Sequence, residues 1–235
     1  MHRAAQWGPL AEQVADICVA HLRTLVGAYV QGSAVLGGFT GASDLDVLVI
    51  VADSTGLEDF GTALSRMTSL DRPVELSVVT AAAAATPASP WPYLLHVNTD
   101  TEDVVHDDGS GDPDLLAHYA VTRAHGHTLV GPEPDRVIGE TPHHDLVDYL
   151  AGELSWALDH ADQRYAVLNA CRAVAFAESG ELLSKVEGAR WWALHRGWSP
   201  LVEGCLEAQL DGRDMGSPSP AARSFVAACI DELRV

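Results

Sequence analysis

Gln31-Gly32-Ser33-Ala34-Val35-Leu36-Gly37-Gly38, followed by Ser43-Asp44-Leu45-Asp46-Val47-Leu48-Val49-Ile50-Val51, is the stretch whose reading decides the fold. From Leu45 to Val51 it is almost entirely β-branched or aliphatic, the strongest strand pattern in the chain. Upstream, Ala28-Tyr29-Val30 reads as a short strand that breaks at Gly32-Ser33, with Gly37-Gly38 close behind. A bend made of glycine and serine lets the backbone come near a phosphate and offers N–H donors and a hydroxyl. Asp44 and Asp46 stand two apart at the strand entrance, and the two-residue period of a strand puts both carboxylates on one face. Val74 to Val79 reads as a later strand in which Glu75 points away from the face of Val74 and Leu76. If the two strands are neighbours, three carboxylates converge beside the Gly-Ser bend.

Outward from this centre the chain divides into two kinds of pattern. Leu10, Val14, Ile17, Cys18, Leu22 and Leu25 follow a helical period, and Gly27 is expected to end that helix. A second helical face carries Leu57, Phe60, Leu64 and Met67. Residues 80–92 are Ala-rich and Pro-punctuated, a connector or short helix, and residues 100–114 read as a solvated acidic loop. A helix over 115–125 and Leu129-Val130-Gly131-Pro132 complete this half. Past Thr141-Pro142, expected to open a capped helix, only helical periods remain. They run through Leu146–Leu158, Tyr165–Glu178 (stopping at Gly180), the capping box Ser184-Lys185-Val186-Glu187, and the starts at Ser199-Pro200 and Pro220. Trp191, Trp192 and Trp198 read as core of this bundle. The expected fold is an α/β (α+β) N-terminal domain with a mixed sheet, residues 1–138, followed by an all-α helical bundle, residues 139–235.

Composition narrows the function classes. The 235 residues carry 33 Asp and Glu against 14 Lys and Arg, a formal charge of −19, and 47% of them are hydrophobic. Such a chain is globular, and its charge repels nucleic acid and anionic lipid while favouring cationic ligands. Apolar runs are strand-sized, which excludes a membrane span, and the N-terminus lacks a signal-peptide pattern. Cys18, Cys171, Cys205 and Cys229 are scattered, as befits reduced thiols in a cytoplasm. The pairs His125/His127 and His143/His144 lack partners at zinc-ligand spacing. Asp107-Asp108-Gly109-Ser110-Gly111-Asp112 lacks the pattern of a calcium loop.

Each element of the acidic centre is ordinary when taken alone. Asp-x-Asp usually marks a solvated strand entrance, Gly-Ser a turn, and a lone Glu75 a surface acid. In the order strand, Gly-Ser, Asp-x-Asp, apolar strand, acid in a later strand, they point to chemistry. Two parallel carboxylates beside a phosphate-binding bend suit Mg²⁺, which takes one or two carboxylates plus phosphate oxygens and water. A third can join the metal site or take a proton from an attacking hydroxyl. The implied reaction is in-line nucleotidyl transfer.

This order resembles the nucleotidyltransferase superfamily founded on DNA polymerase β, and more narrowly the streptomycin/spectinomycin adenylyltransferases of antibiotic resistance. Further matches are Val74-Glu75-Leu76, Pro90-Trp91-Pro92-Tyr93, His127-Thr128-Leu129-Val130-Gly131-Pro132, Val167-Leu168 with Arg172, and Lys185 before Trp192-Ala193. The resemblance implies Mg²⁺ on Asp44 and Asp46, with Glu75 as general base and additional metal-site acid. It implies that Gly32, Ser33, Ser43, Arg172 and Lys185 serve the ATP co-substrate, Lys185 reaching its phosphates from the bundle. It also implies acceptor contacts by Trp156, Asp159 and Asp162. The streptomycin-active members carry a further tryptophan downstream of the Pro-Trp-x-Tyr segment. Here residues 98–104 have none, which points to spectinomycin or another aminocyclitol.

The expectation is thus a cytoplasmic, monomeric enzyme that moves AMP from ATP to a hydroxyl of a cationic aminoglycoside or aminocyclitol, with no nucleic-acid or membrane partner. The alternatives are the same chemistry on a protein or RNA acceptor, and a binding module of this fold without turnover. A tRNA acceptor calls for a basic surface, against which the charge balance speaks.

Overall fold

The computed structural model describes residues 7–40, 43–67 and 72–235, in two compact units, Met1–Thr141 and Pro142–Val235. The first unit runs α1 (Gly8–His21), β1 (Leu25–Val30), α2 (Gly32–Leu36), β2 (Leu45–Val51), α3 (Leu57–Ser65), β3 (Val74–Thr80), α4 (Ala81–Ala85), β4 (Leu95–Asn98), β5 (Asp103–Val105), α5 (Leu115–His125) and β6 (His127–Val130). Among the described residues six strands form one mixed sheet in the order β5-β4-β3-β2-β1-β6. Among the described residues only β2 and β3 are parallel, and their register sets Asp46 against Glu75, Leu48 against Ser77 and Ile50 against Val79.

That register divides the sheet into two faces. Val47, Val49, Val51, Leu76 and Val78 pack under the apolar stripes of α1 and α3, including Val14, Cys18, Phe60 and Leu64. The opposite face carries Leu48, Ile50 and Val79 beneath Leu115 and Tyr119 of α5. Asp46, Glu75 and Ser77 share this second face by strand alternation. They lie toward the end where β2 and β3 begin, short of the apolar patch that α5 covers.

Several local expectations are corrected. The first helix stops at His21, and Gly27 lies inside β1 beside a register shift. Gly32-Ser33 is the start of the five-residue α2 rather than an open bend. The acidic stretch contains edge strand β5, whose Val104 and Val105 are exposed.

The second unit is helical throughout, with α6 (His143–His160), α7 (Gln163–Ser179), α8 (Lys185–His195), α9 (Pro200–Leu210) and α10 (Pro220–Leu233). Buried Ala and Val positions of α7 form its centre, packed by Leu154, Val202, Cys205, Val226 and Cys229. Helix starts follow their caps. Asp162 accepts from Tyr165 N, Ser184 and Glu187 make a reciprocal capping box, and Ser199 and Ser219 cap α9 and α10. Thr141 does not cap α6, whose N-cap position is Pro142 without a side-chain bond. Trp198 is not core: it is 71% exposed, and its indole N–H donates to Glu203 Oε2 at 2.7 Å. All four cysteines are buried free thiols, and burial pushes those of Cys18 and Cys229 up to about 12. Among the described residues no helix is long and apolar enough to cross a membrane.

Candidate active site

The register of β2 and β3 makes Asp46 and Glu75 lateral neighbours on one face. Gly32 then closes on Asp46. Its φ is +62°, and a Cβ built there overlaps the Asp46 carboxylate and stands 2.7 Å from Cγ. Glycine is required twice over, for the left-handed backbone and for the space. The bond from Gln31 N to Asp46 O (2.9 Å) fixes the chain just before this approach. Ser33 follows Gly32, and its carbonyl accepts from Gly38 N at 3.0 Å, folding the Gly-rich segment back on itself.

Asp44 precedes β2 on a loop tied by Arg72, whose Nη1 donates to the carbonyls of Thr40 (2.5 Å) and Ser43 (3.5 Å) while its guanidinium covers the Phe39 ring. The Ser43 hydroxyl belongs to the same tie, accepting from Thr40 N at 3.0 Å. The Asp44 carboxyl is held above its ordinary range, first by burial and then by the negative charges of Glu75 and Asp100. Asp44 and Glu75 are therefore electrostatic neighbours in a corner with an excess of negative charge. Among the described residues, no group of three His, Cys, Asp or Glu side chains is placed to hold a metal ion alone. A Mg²⁺ that takes two carboxylates and completes its shell with phosphate oxygens and water needs no such cage. The crowded charge at Asp44 and the close approach of Gly32 to Asp46 suit that donor set.

Glu75 is one-third exposed, and its Oε1 lies 4.0 Å from His96 Nε2. His96 faces Ser77 across the β3–β4 pair, with Ser77 Oγ 3.1 Å from Nδ1. His118, on α5, is near enough for Glu75 and His96 to act on its charge state. Sequence reading passed over Arg72, Ser77, His96 and His118. Only pairing across β3 and β4 and packing of α5 gather the last three, and no spacing announces either.

In the second unit, Tyr165 links several charged groups. The Lys185 ammonium sits 4.2 Å from its ring centroid, its hydroxyl donates to Glu153 Oε2 at 3.1 Å, and the Arg172 charge lowers its pKa against the larger upward push of burial. Gly188 admits α8 closely onto α7, since a Cβ there would meet Arg172 Cβ at 2.7 Å. Arg172 and Lys185 thus share one neighbourhood. Trp156 is half-exposed, stacks on His160 and turns its edge to Tyr165. Asp159 pairs with Arg223 at 3.2 Å, and Asp162 pairs with Arg164 at 3.3 Å in addition to capping α7. Tyr165 and Glu153 were legible only as ordinary helix positions.

Comparison with known proteins bears on both units. The family model for the aminoglycoside adenylyltransferase C-terminal domain matches residues 136–232. A spectinomycin 9-adenylyltransferase of Staphylococcus aureus is 27% identical over 187 residues, covering 72% of this chain and 70% of that protein. An aminoglycoside (3'') (9) adenylyltransferase of Klebsiella pneumoniae is 26% identical over 243 residues, covering 91% and 90%. The C-terminal unit thus matches the family's C-terminal domain, and the chain as a whole is similar to aminoglycoside adenylyltransferases. The carboxylate corner lies in the unit that precedes the residues matched by that C-terminal domain. A spectinomycin adenylyltransferase from Enterococcus faecialis, solved with ATP and spectinomycin, shares the fold. Its TM-score is 0.72 over 95% of this chain and 97% of that one, at 16% identity.

Proposed function

We propose that this protein is an adenylyltransferase that transfers AMP from ATP to a hydroxyl of a cationic aminocyclitol of the spectinomycin class, releasing pyrophosphate, and that it acts as a cytoplasmic monomer. The observation that carries the reading is the carboxylate corner: Asp46 and Glu75 adjacent in register, Asp44 crowded by Glu75, and Gly32 pressed against Asp46.

Asp44 and Asp46 are the residues that would hold Mg²⁺. Bound there, the ion neutralises charge on the triphosphate and on the departing pyrophosphate. Gly32 brings backbone beside Asp46, and with Ser33, the next residue, it would serve a phosphate there. Glu75 takes the proton of the acceptor hydroxyl as its oxygen attacks the α-phosphorus and the bond to pyrophosphate breaks. Its partial exposure leaves it open to an acceptor. Arg172 and Lys185 serve the nucleotide, and the half-exposed Trp156 with Asp159 offers aromatic and anionic surface to a cationic drug, with Asp162 beside them at the N-cap of α7. The formal charge of −19 favours a cationic acceptor over a polyanionic one.

Incubation with α-labelled ATP, Mg²⁺ and a panel of aminocyclitols and aminoglycosides tests the reading. Label is expected in spectinomycin. Label in a macromolecule from added lysate, or in no acceptor, would overturn it.

A further inference from the structure

The site contains more chemistry on β4 and α5 than the reaction above assigns. Ser77 is 3% exposed, a buried hydroxyl in an otherwise apolar run of β3. Such a group needs a hydrogen-bond partner, and its partner is His96 Nδ1 at 3.1 Å. The opposite nitrogen, Nε2, faces Glu75 Oε1 at 4.0 Å. A carboxylate favours an N–H over a lone pair on the ring nitrogen that faces it. With the proton on Nε2, Nδ1 becomes an acceptor and Ser77 must be the donor. The three side chains therefore have one self-consistent polarity, running Ser77 O–H to His96 Nδ1 and His96 Nε2–H toward Glu75. From the α5 side, His118 adds a buried Nδ1 without a hydrogen-bond partner among the described residues. Burial pushes that imidazole toward its neutral form against the pull of Asp114, Glu75 and Asp112.

We propose that His96, oriented by Ser77, is a positioning residue for Glu75: it fixes the carboxylate so that Oε1 is engaged by the imidazole and Oε2 stays open to the acceptor hydroxyl. The inference rests on the reading of Glu75 as the general base. The 4.0 Å gap is wider than a hydrogen bond, and catalytic contacts of this kind tighten when substrate binds. What the fold supplies is the direction of the dipole. Register places His96 directly across from Ser77 and two pairs along from Glu75, on the same face, so the imidazole spans the two.

The test compares His96→Phe, which keeps a ring without a donor, with His96→Gln, which restores an N–H, and with Ser77→Ala and Glu75→Gln. Steady-state kinetics with ATP and spectinomycin should show kcat of His96→Phe falling about 10- to 100-fold, the range for outer partners of a reacting group, with KM for ATP within about twofold. His96→Gln should recover most of the loss. Wild-type kcat in His96→Phe, equal loss in His96→Gln, or a parallel rise in KM for ATP would overturn the proposal. Should His96→Phe not fold, Ser77→Ala decides on the same criterion. Glu75→Gln separates the two levels. If it keeps wild-type kcat, the base assignment fails; if it loses kcat while His96→Phe does not, only the positioning role fails. An acceptor-independent readout is ¹⁵N NMR of the histidine rings. The proposal requires the Nε2–H form at His96 and a change in that ring's signals in Glu75→Gln; the Nδ1–H form, or no change, contradicts it.

Discussion

Replacing Gly32 by alanine tests the geometry at its tightest point. The residue sits at φ +62°, where an L-residue costs about 1–2 kcal/mol. Its new Cβ would overlap Asp46 Oδ2 and stand 2.7 Å from Cγ, whereas ordinary contact begins at 3.4 Å, so the carboxylate must retreat by more than about 0.7 Å or the α2 backbone must move. Displacements near 1 Å at a reacting centre cost about 100-fold in rate. Gly32→Ala should therefore lower kcat about 10- to 100-fold with spectinomycin. It should lower Tm by about 2–8 °C, at 2–4 °C per kcal/mol for a chain of this size. Label transfer from ATP measures the first and differential scanning fluorimetry the second. A variant with wild-type kcat and unchanged Tm would refute both the close approach and its part in catalysis. Gly152→Ala is the matched control: it lies within α6 with open space around it, and should leave kcat unchanged while raising stability by about 0.5–1 kcal/mol.

Asp44→Asn should abolish detectable transfer yet raise the Tm of the ligand-free protein at pH 7. The folded state holds this carboxyl above its ordinary 3.8, so ionised Asp44 destabilises the fold. That penalty is absent below 3.8, where the group is protonated folded or unfolded, and complete once pH exceeds the raised folded value. The Tm gain of the variant should accordingly vanish as pH falls through the carboxylate range; a gain independent of pH would contradict this cause. Tyr165→Leu removes the ring beneath Lys185 and should raise KM for ATP about 2- to 5-fold, the equivalent of a partly exposed cation–π contact, whereas Tyr165→Phe should stay near wild type. Equal effects of the two in enzyme kinetics would assign the role to the hydroxyl and Glu153 instead.

The acidic centre was legible in the chain because strand alternation is a short-range rule. Asp44, Asp46 and Glu75 lie at or just before the entrances of two apolar runs, and parallel pairing of those runs sets Asp46 beside Glu75. The bundle was legible for a similar reason, since Asp162, Ser184, Ser199 and Ser219 cap their helices by local bonds. What the sequence concealed depends on partners far along it. His96 meets Glu75 through the β3–β4 register, and His118 reaches that group from α5. Arg72 ties the Asp44 loop through carbonyl oxygens, which leave no trace in residue type. Tryptophan was a poor guide to burial, because Trp198 satisfies its N–H at the surface through Glu203. Gly27 misled as a helix stop because a glycine at a strand irregularity carries the same letter as one at a helix end.

The most direct measurement is a crystal structure of the protein with Mn²⁺ in place of Mg²⁺ and a non-hydrolysable ATP analogue, with metal located by anomalous scattering. The account predicts a peak bounded by the carboxylates of both Asp44 and Asp46 and by phosphate oxygens, with Glu75 beside the α-phosphate. A nucleotide bound with no metal at those two aspartates, or with Glu75 turned from the α-phosphate, would contradict it.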